Sequence, residues 1–181
     1  MLHAIVHTLT KGLVFKRHLS ETFGRAPVYV SSDAYLKLLG PMSRIEPVLF
    51  RLAKTFMKPG NVVWDVGANV GLFTFACAHL AGLSGHVVAF EPDTWLVQLL
   101  RRSARIQNGG STITIVPAAA AQVCGLRTFC IAKNGRAANF LSGYGYGASI
   151  TGGVREEMTV VAVTLDSILN EKLPPPTSSK N

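Results

Sequence analysis

The segment Asp65-Val66-Gly67-Ala68-Asn69-Val70-Gly71 combines residue types and spacing that could do chemistry, and Glu91 stands twenty positions beyond its last glycine. Gly67 and Gly71 let the main chain bend sharply and let a ligand approach without meeting a Cβ. A carboxylate at the distance of Glu91 accepts hydrogen bonds from both hydroxyls of a ribose. A phosphate fits poorly. A dinucleotide site wants G-x-G-x-x-G, whose helix N-terminal amides hold a pyrophosphate, and here the spacing is G-x-x-x-G. Asp65 brings a negative charge into the turn, and no Lys or Arg lies between Lys58 and Arg101. No Gly-Lys-Ser/Thr follows, so a Walker A loop is excluded. A nucleoside carrying a sulfonium and an amino acid, with a cation, an ammonium and a ribose but no phosphate, suits the segment better. Asp65 would meet its ammonium side directly or through water.

Such a loop needs a strand before it and a helix after it. Residues 62–66 are a short apolar run, the pattern of a strand buried on both faces. The pattern predicts a helix over 71–80, a turn over 82–85, a second buried strand over 86–90 and a helix over 94–107. The last has Leu96, Leu99 and Leu100 inside and Arg101, Arg102 and Arg105 outside. Asn108-Gly109-Gly110 stops it, and 112–116 is a third strand. The fold class read from this order is α/β, a doubly wound parallel sheet with ligands bound at the carboxyl ends of its strands. Residues 66–90 have the low charge of a membrane span, but four glycines, Asn69 and His79 break them up, and no transmembrane helix is expected.

Outside this unit the signals are plainer. Residues 3–23 read as an amphipathic helix, an N-terminal arm that either packs on the domain or touches a membrane surface or a partner. Ser31-Ser32-Asp33 is a helix-start signal ahead of residues 34–39, and a second helix is expected over 43–57. Residues 126–132 and 158–164 alternate apolar and polar, as half-exposed and antiparallel strands do. The glycine-rich stretch 142–153 between them reads as a hairpin tip, or alternatively as a lid with Tyr144 and Tyr146 against a substrate. Residues 173–181 have the composition of a disordered tail. The expected domains are a helical segment over 1–58, a ligand-binding domain over 59–172 and that tail.

Composition narrows the class. With 48% apolar and 15% charged residues in 181, the chain can bury a core and is not a disordered, collagen-like or coiled-coil sequence. The net charge of +8 is lopsided: residues 1–60 hold nine Lys/Arg against three Asp/Glu. That balance allows a nucleic-acid partner without showing one, and none is expected. Three cysteines form no C-x-x-C pair, and no small-residue cleavage site follows the N-terminal apolar stretch. These point to a reducing, cytoplasmic setting with no disulfide framework, no secretory leader and no metal site.

Four blocks, GNVVWDVGANVGLFTF, GHVVAFEPD, ITIVPAA and VTLDSIL, resemble the FkbM family of S-adenosylmethionine-dependent methyltransferases over residues 33–169. The resemblance implies a class I methyltransferase (Rossmann-like) sheet with S-adenosylmethionine as methyl donor. It also implies transfer to a hydroxyl of a sugar, a polyketide or a related small-molecule or glycan acceptor. By position, Asp65, Gly67, Ala68, Asn69 and Gly71 would line the methionine end and the turn. Glu91, with Pro92 beside it, would hold the ribose, and Ala118 and Ala119 would sit near the adenine. Two other readings stay open: a non-enzymatic remnant that binds the donor, and a nicotinamide-dependent oxidoreductase.

A hydroxyl acceptor gains from a general base. His3, His7 and His18 lie in the N-terminal arm, His79 on the first crossover helix and His86 at the far end of a strand, and none is placed to serve. Asp166 reads as a helix N-cap. No catalytic residue is assigned. The family continues past its VTLDSIL-like block with more sheet, whereas this chain reaches a proline run and stops at Asn181. The expectation is therefore a truncated member, incomplete at its C-terminus, in which the strand over 62–66 keeps a bare edge unless something covers it.

Overall fold

The computed structural model describes residues 12–34, 40–42, 45–144, 148–169 and 173–177. They open on an antiparallel hairpin of β1 (Val14–His18) and β2 (Pro27–Ser31), in which Phe15 faces Val30 and Arg17 faces Val28. The helical arm expected over 3–23 is thus corrected from residue 14 onward, and residues 1–11 lie outside the described part. Val14 and Phe15 meet the β-branched and aromatic run Val28-Tyr29-Val30, and this cross-strand pairing overrides a weak helical spacing. Val28 and Val30 are fully buried, and β2 is tied to a helix further on by a bond from Tyr29 N to Ser103 Oγ of 2.8 Å.

Helix α1 (Pro47–Phe56) starts later than residue 43. Pro47 occupies its first turn, where a missing N–H costs nothing, after Glu46 in a left-handed conformation. The helix expected over 34–39 lies outside the described part except for Ala34, which sits in a turn.

The central unit follows the expected order: β3 (Val62–Val66), α2 (Leu72–Ala81), β4 (His86–Phe90), α3 (Thr94–Ala104) and β5 (Thr112–Val116). The strands run parallel in the order β3-β4-β5, with Val62 opposite His86 and His86 opposite Thr112. Because the three start in register, their carboxyl ends, Val66, Phe90 and Val116, form one edge. Helix α3 turns Leu96, Val97, Leu99 and Leu100 inward and is capped by Asp93, whose carboxylate accepts from Trp95 N at 3.0 Å. One core joins the hairpin, α2, β4 and α3, with Phe23, Phe75, Leu96 and Leu100 among its fully buried side chains.

The remaining residues form a second sheet, β6 (Ala119–Ala120), β7 (Gly125–Ala132), β8 (Phe140–Leu141) and β9 (Val154–Val163), in the order β6-β9-β7-β8. The pair β7–β9 is antiparallel, as the alternation predicts, while the short β6 runs parallel to β9. The glycine-rich connection carries a four-residue helix, α4 (Ala148–Thr151). Tyr144 in it is exposed, and Tyr146 lies outside the described residues. In α5 (Leu165–Leu169) Asp166 sits within the first turn. The cap is Thr164, whose Oγ1 accepts from Ser167 N at 3.1 Å, which corrects the role expected for Asp166.

The C-terminal segment departs from a disordered tail over 173–177. Thr177 N donates to Val62 O at 2.9 Å and Val62 N to Thr177 Oγ1 at 2.8 Å, while Trp64 Nε1 donates to Pro174 O at 2.9 Å. The proline run therefore lies along the side of β3 away from β4, on the edge expected to be bare.

Candidate functional site

The carboxyl edge of β3 and β4 is where the sequence concentrates its chemistry, and the loop after β3 explains why. Gly67 has φ +79°, and its N–H and that of Ala68 donate to Phe90 O at 2.9 and 3.0 Å, so the loop is laid across the end of β4. A Cβ at Gly67 would meet nothing within 4 Å, which leaves its main chain open to an approaching ligand. Gly71 has φ +89°, and there a Cβ would lie 2.6 Å from Leu100 and from Phe75, so that glycine is required by packing as well as by conformation.

Asn69 is left-handed without being glycine, with φ +52°. Its N–H donates to Glu91 Oε2 at 2.8 Å, and its side-chain Oδ1 is buried with no hydrogen-bond partner. This left-handed residue thus keeps a buried acceptor whose hydrogen-bonding capacity is unused. The other oxygen of Glu91 accepts from Asp93 N at 2.8 Å. Glu91 is almost fully buried, and burial pushes its carboxyl up to about 7; the two amide bonds oppose that shift, and the charges of Asp93 and Asp65 add to it. Burial also raises the carboxyl of Asp65 against the hydrogen bond it receives from Thr74 Oγ1. Thus Asp65 sits behind the loop, held by the next helix.

Of the expected site residues, Asp65, Gly67, Ala68, Asn69, Gly71 and Glu91 come together here, with the half-buried Pro92 beside Glu91. Ala118 follows the end of β5 on the same edge, its N–H bonded to Val116 O at 2.9 Å. Ala119 is different: it belongs to β6 and packs with Phe129, Ile131 and Val160 in the core of the second sheet.

An ion-pair cluster adjoining Glu91 was not expected. Asp93 Oδ2 accepts from Arg136 Nη1 and from Asn139 Nδ2, the latter at 3.0 Å. Arg136 also donates from Nε to Asp33 Oδ2 at 2.9 Å, and its guanidinium lies 4.8 Å from the centre of the Trp95 ring. Arg155 Nη1 donates to Asp33 Oδ1 at 2.8 Å. Burial works against the Asp33 charge, yet the bonds from Arg155 and Arg136 hold its carboxyl below the usual range. An open cleft of about 540 Å³ lies against Asp33, Trp95, Arg136, Arg155 and Glu156. Asp93 carries a sequence signal, an acid one residue before a helix. Arg136 carries none, since its partners Asp93 and Asp33 lie 43 and 103 residues away.

The described histidines stand elsewhere. His86 Nε2 pairs with Thr114 Oγ1 at 2.8 Å at the opposite end of the sheet, and His18 and His79 line a separate cavity with Lys16, Arg25 and Gln107. Among the described residues no group of His, Cys, Asp or Glu could hold a metal ion, and no helix is long and apolar enough to cross a membrane.

The described central unit is a parallel α/β sheet with two buried acids, Asp65 and Glu91, flanking the glycine turn at its carboxyl edge. The family model described as the methyltransferase FkbM domain matches residues 65–176, so the chain belongs to the FkbM methyltransferase domain family. No curated protein matches the chain. Among solved structures it is similar to a Pyrococcus abyssi tRNA (uracil-54, C5)-methyltransferase in complex with S-adenosyl-L-homocysteine. The identity is 11% and the TM-score 0.42, over 57% of this chain and 24% of the other. The chain thus spans about a quarter of that neighbour's length. The cofactor of an FkbM methyltransferase domain is S-adenosylmethionine. The residues present fit it: the open main chain at Gly67, the orphaned Asn69 Oδ1 and the buried Glu91 carboxylate offer space and acceptors to a ligand rich in donors.

Proposed function

We propose that this chain transfers the methyl group of S-adenosylmethionine to a hydroxyl oxygen of a small acceptor: a sugar or glycan, a polyketide or a related metabolite. The observation that carries the reading is the pairing of the left-handed Asn69 turn with the buried carboxylate of Glu91. When bound, the donor supplies a methyl carbon on a sulfonium centre. Glu91 then accepts from the ribose hydroxyls with the lone pairs left over from its two amide bonds. The open main chain of Gly67 and Asn69 Oδ1 receive the amino-acid end, with Asp65 behind them adding negative potential toward the ammonium. Ala118 borders the adenine side. The chain's part in the reaction is to hold donor and acceptor aligned and to keep phosphate ligands out.

Residues 59–172 form the donor-binding part in this reading. A cytoplasmic setting suits the three cysteines, all free thiols. No nucleic-acid partner is invoked, and the basic stretch over 1–20 is assigned a weak contact with membrane surfaces.

Titration calorimetry with S-adenosylhomocysteine tests the donor assignment. Glu91→Gln should weaken binding by about 1.5–3 kcal/mol, the worth of a hydrogen bond to a charged group. A variant that binds as tightly as the parent, or saturable binding of NADH in place of S-adenosylhomocysteine, would overturn it. Transfer of a labelled methyl group to hydroxylated acceptors, absent with acceptors that lack a hydroxyl, tests the oxygen as target.

A further inference from the structure

We infer that Arg136 is a positioning residue: by clamping Asp93 it fixes the Glu91 carboxylate in the geometry that receives the donor ribose. The inference rests on the reading of Glu91 as the ribose acceptor and extends it to a residue on a connection between two strands of another sheet.

The chain of contacts is continuous. Arg136 occupies a 3-10 turn, Arg136–Ala138, on the connection between β7 and β8. Its main-chain N donates to Asp33 O at 2.9 Å, its Nε to Asp33 Oδ2 and its Nη1 to Asp93 Oδ2, while its plane lies against Trp95. A guanidinium bonded on two sides and stacked on an indole has one orientation. Asp93 is in turn held on both oxygens, by the helix amides at Oδ1 and by Arg136 and Asn139 at Oδ2. What Asp93 offers Glu91 is its main-chain N–H, which bonds Oε1 while Asn69 N bonds Oε2. Glu91 is therefore gripped by the donor loop on one side and by Asp93 on the other, and Arg136 is the cation that fixes the second grip.

Charge makes the inference testable apart from stability. The groups that face Glu91 are Asp65 and the Asn69 amide from the β3 side, and Asp93 with its amide from the start of α3. Both acids disfavour its ionised form, and Arg136 neutralises one of them. Removing Arg136 exposes Glu91 to the full charge of Asp93 and leaves it protonated over more of the neutral range. Donor affinity, which uses the ionised carboxylate, should then fail at a higher pH. Removing the Asp93 charge should act in the opposite direction. Cutting the Arg136–Asp33 pair weakens the same junction without touching Asp93.

The experiment is calorimetry with S-adenosylhomocysteine from pH 5.5 to 8.5 on the full chain and on Arg136→Met, Arg136→Lys, Asp93→Asn, Asp33→Asn and Glu91→Gln. The parent should lose affinity as pH falls through about 7. Arg136→Met should move that limb upward by about 0.5–1 pH unit and weaken binding at pH 7 about three- to tenfold. Arg136→Lys should restore most of the limb, Asp93→Asn should move it downward, and Asp33→Asn should lower thermal stability with the limb in place. If the limbs of Arg136→Met and Asp93→Asn coincide with that of the parent while Glu91→Gln has lost affinity, Arg136 is only a structural tie and the inference falls. Where Arg136→Met does not fold, Asp93→Asn and Arg136→Lys decide alone. If Glu91→Gln keeps full affinity, the donor reading itself is at fault.

Discussion

The parallel sheet β3-β4-β5 and the four-stranded sheet β6-β9-β7-β8 are attached to the rest of the protein by different forces. The parallel sheet shares a single apolar core with the β1–β2 hairpin, built from fully buried side chains such as Val28, Val30, Phe75 and Leu100. The antiparallel sheet has a small core of its own, Ala119, Phe129, Ile131, Val160 and Ala162. What joins it to the rest is largely polar: Arg136 to Asp33 and Asp93, Arg155 to Asp33, Asn139 to Asp93, and two main-chain bonds from residues 136 and 137 to 33 and 34. Apolar packing is nondirectional and indifferent to pH, whereas a buried ion pair is directional and fails when one member is lost. The candidate site lies where the two regimes meet. Its loop is anchored by packing at Gly71, and Glu91 is anchored through Asp93 to the ionic junction.

The largest expected effect lies in the apolar region. Phe75→Ala removes a fully buried ring that also packs against Gly71, and it should cost about 3–5 kcal/mol in urea unfolding, nearly unchanged between low and high salt. An effect below about 1 kcal/mol would mean that the core yields around the gap, and the contrast between the regions would weaken.

Next in size is the junction. Asp33→Ala leaves Arg136 without one partner and Arg155 without its described one, in a cluster where Asp33 is only 5% exposed. A loss of about 3 kcal/mol is expected. Hydrogen exchange distinguishes it from a core mutation: amides of β7 and β9 should speed up while those of β4 keep their protection. Uniform loss of protection would show that the two sheets unfold as one unit whatever joins them.

These contrasts separate what was legible in the sequence from what was not. The parallel unit could be read because its signals are local. Apolar runs of five residues, the glycines at 67 and 71 and an acid at the end of the next run each dictate nearby main chain, and the strands begin and end where the runs do. The first strand of the hairpin could not, because Val14 and Phe15 form a strand only once Ser31 and Val30 lie opposite, and their own spacing hints at a helix. The half of the site that lay hidden is the ionic half. Nothing near Arg136 announces that it will meet Asp33 and Asp93, more than forty residues away along the chain, and single charged residues read as solvated surface. The orphaned Asn69 Oδ1 is likewise a fact of packing and not of sequence.

Acid titration should divide the regions by sign. At the parallel edge Glu91 is raised from 4.5 to about 7, and Asp65 is also raised. A raised carboxyl stabilises the fold fully below its unfolded value and stops doing so as pH climbs through its folded value, so ligand-free stability should fall between pH 4.5 and 7. The expected fall is on the order of 2 kcal/mol. At the junction Asp33 is held below 3.8, so its contribution is present above that value and is lost as pH drops further. The maximum should lie between these windows, near pH 4 to 5. Asp33→Asn should flatten the acid limb alone and Glu91→Gln the neutral limb alone. A ligand-free curve level from pH 4.5 to 7 would mean that Glu91 is not raised, and with it would go the charge argument for Arg136.

The smallest effect tests the far edge of β3, where neither regime operates. There residues 173–177 lie along the side of β3 away from β4, and the described bonds are those between Thr177 and Val62 and the one from Trp64 to Pro174. Proline suits this duty, since it lies extended but cannot donate and so does not template a further strand. Thr177→Ala removes the acceptor for Val62 N in an exposed setting, where water replaces it, and should cost about 0.5–1 kcal/mol. Its clearer consequence is kinetic: light scattering on warming should show earlier self-association than in the parent, because the amide of Val62 becomes available to another chain. If Thr177→Ala aggregates no sooner than the parent, the proline segment is a passenger on that edge, and the side chains flanking β3 must guard it instead.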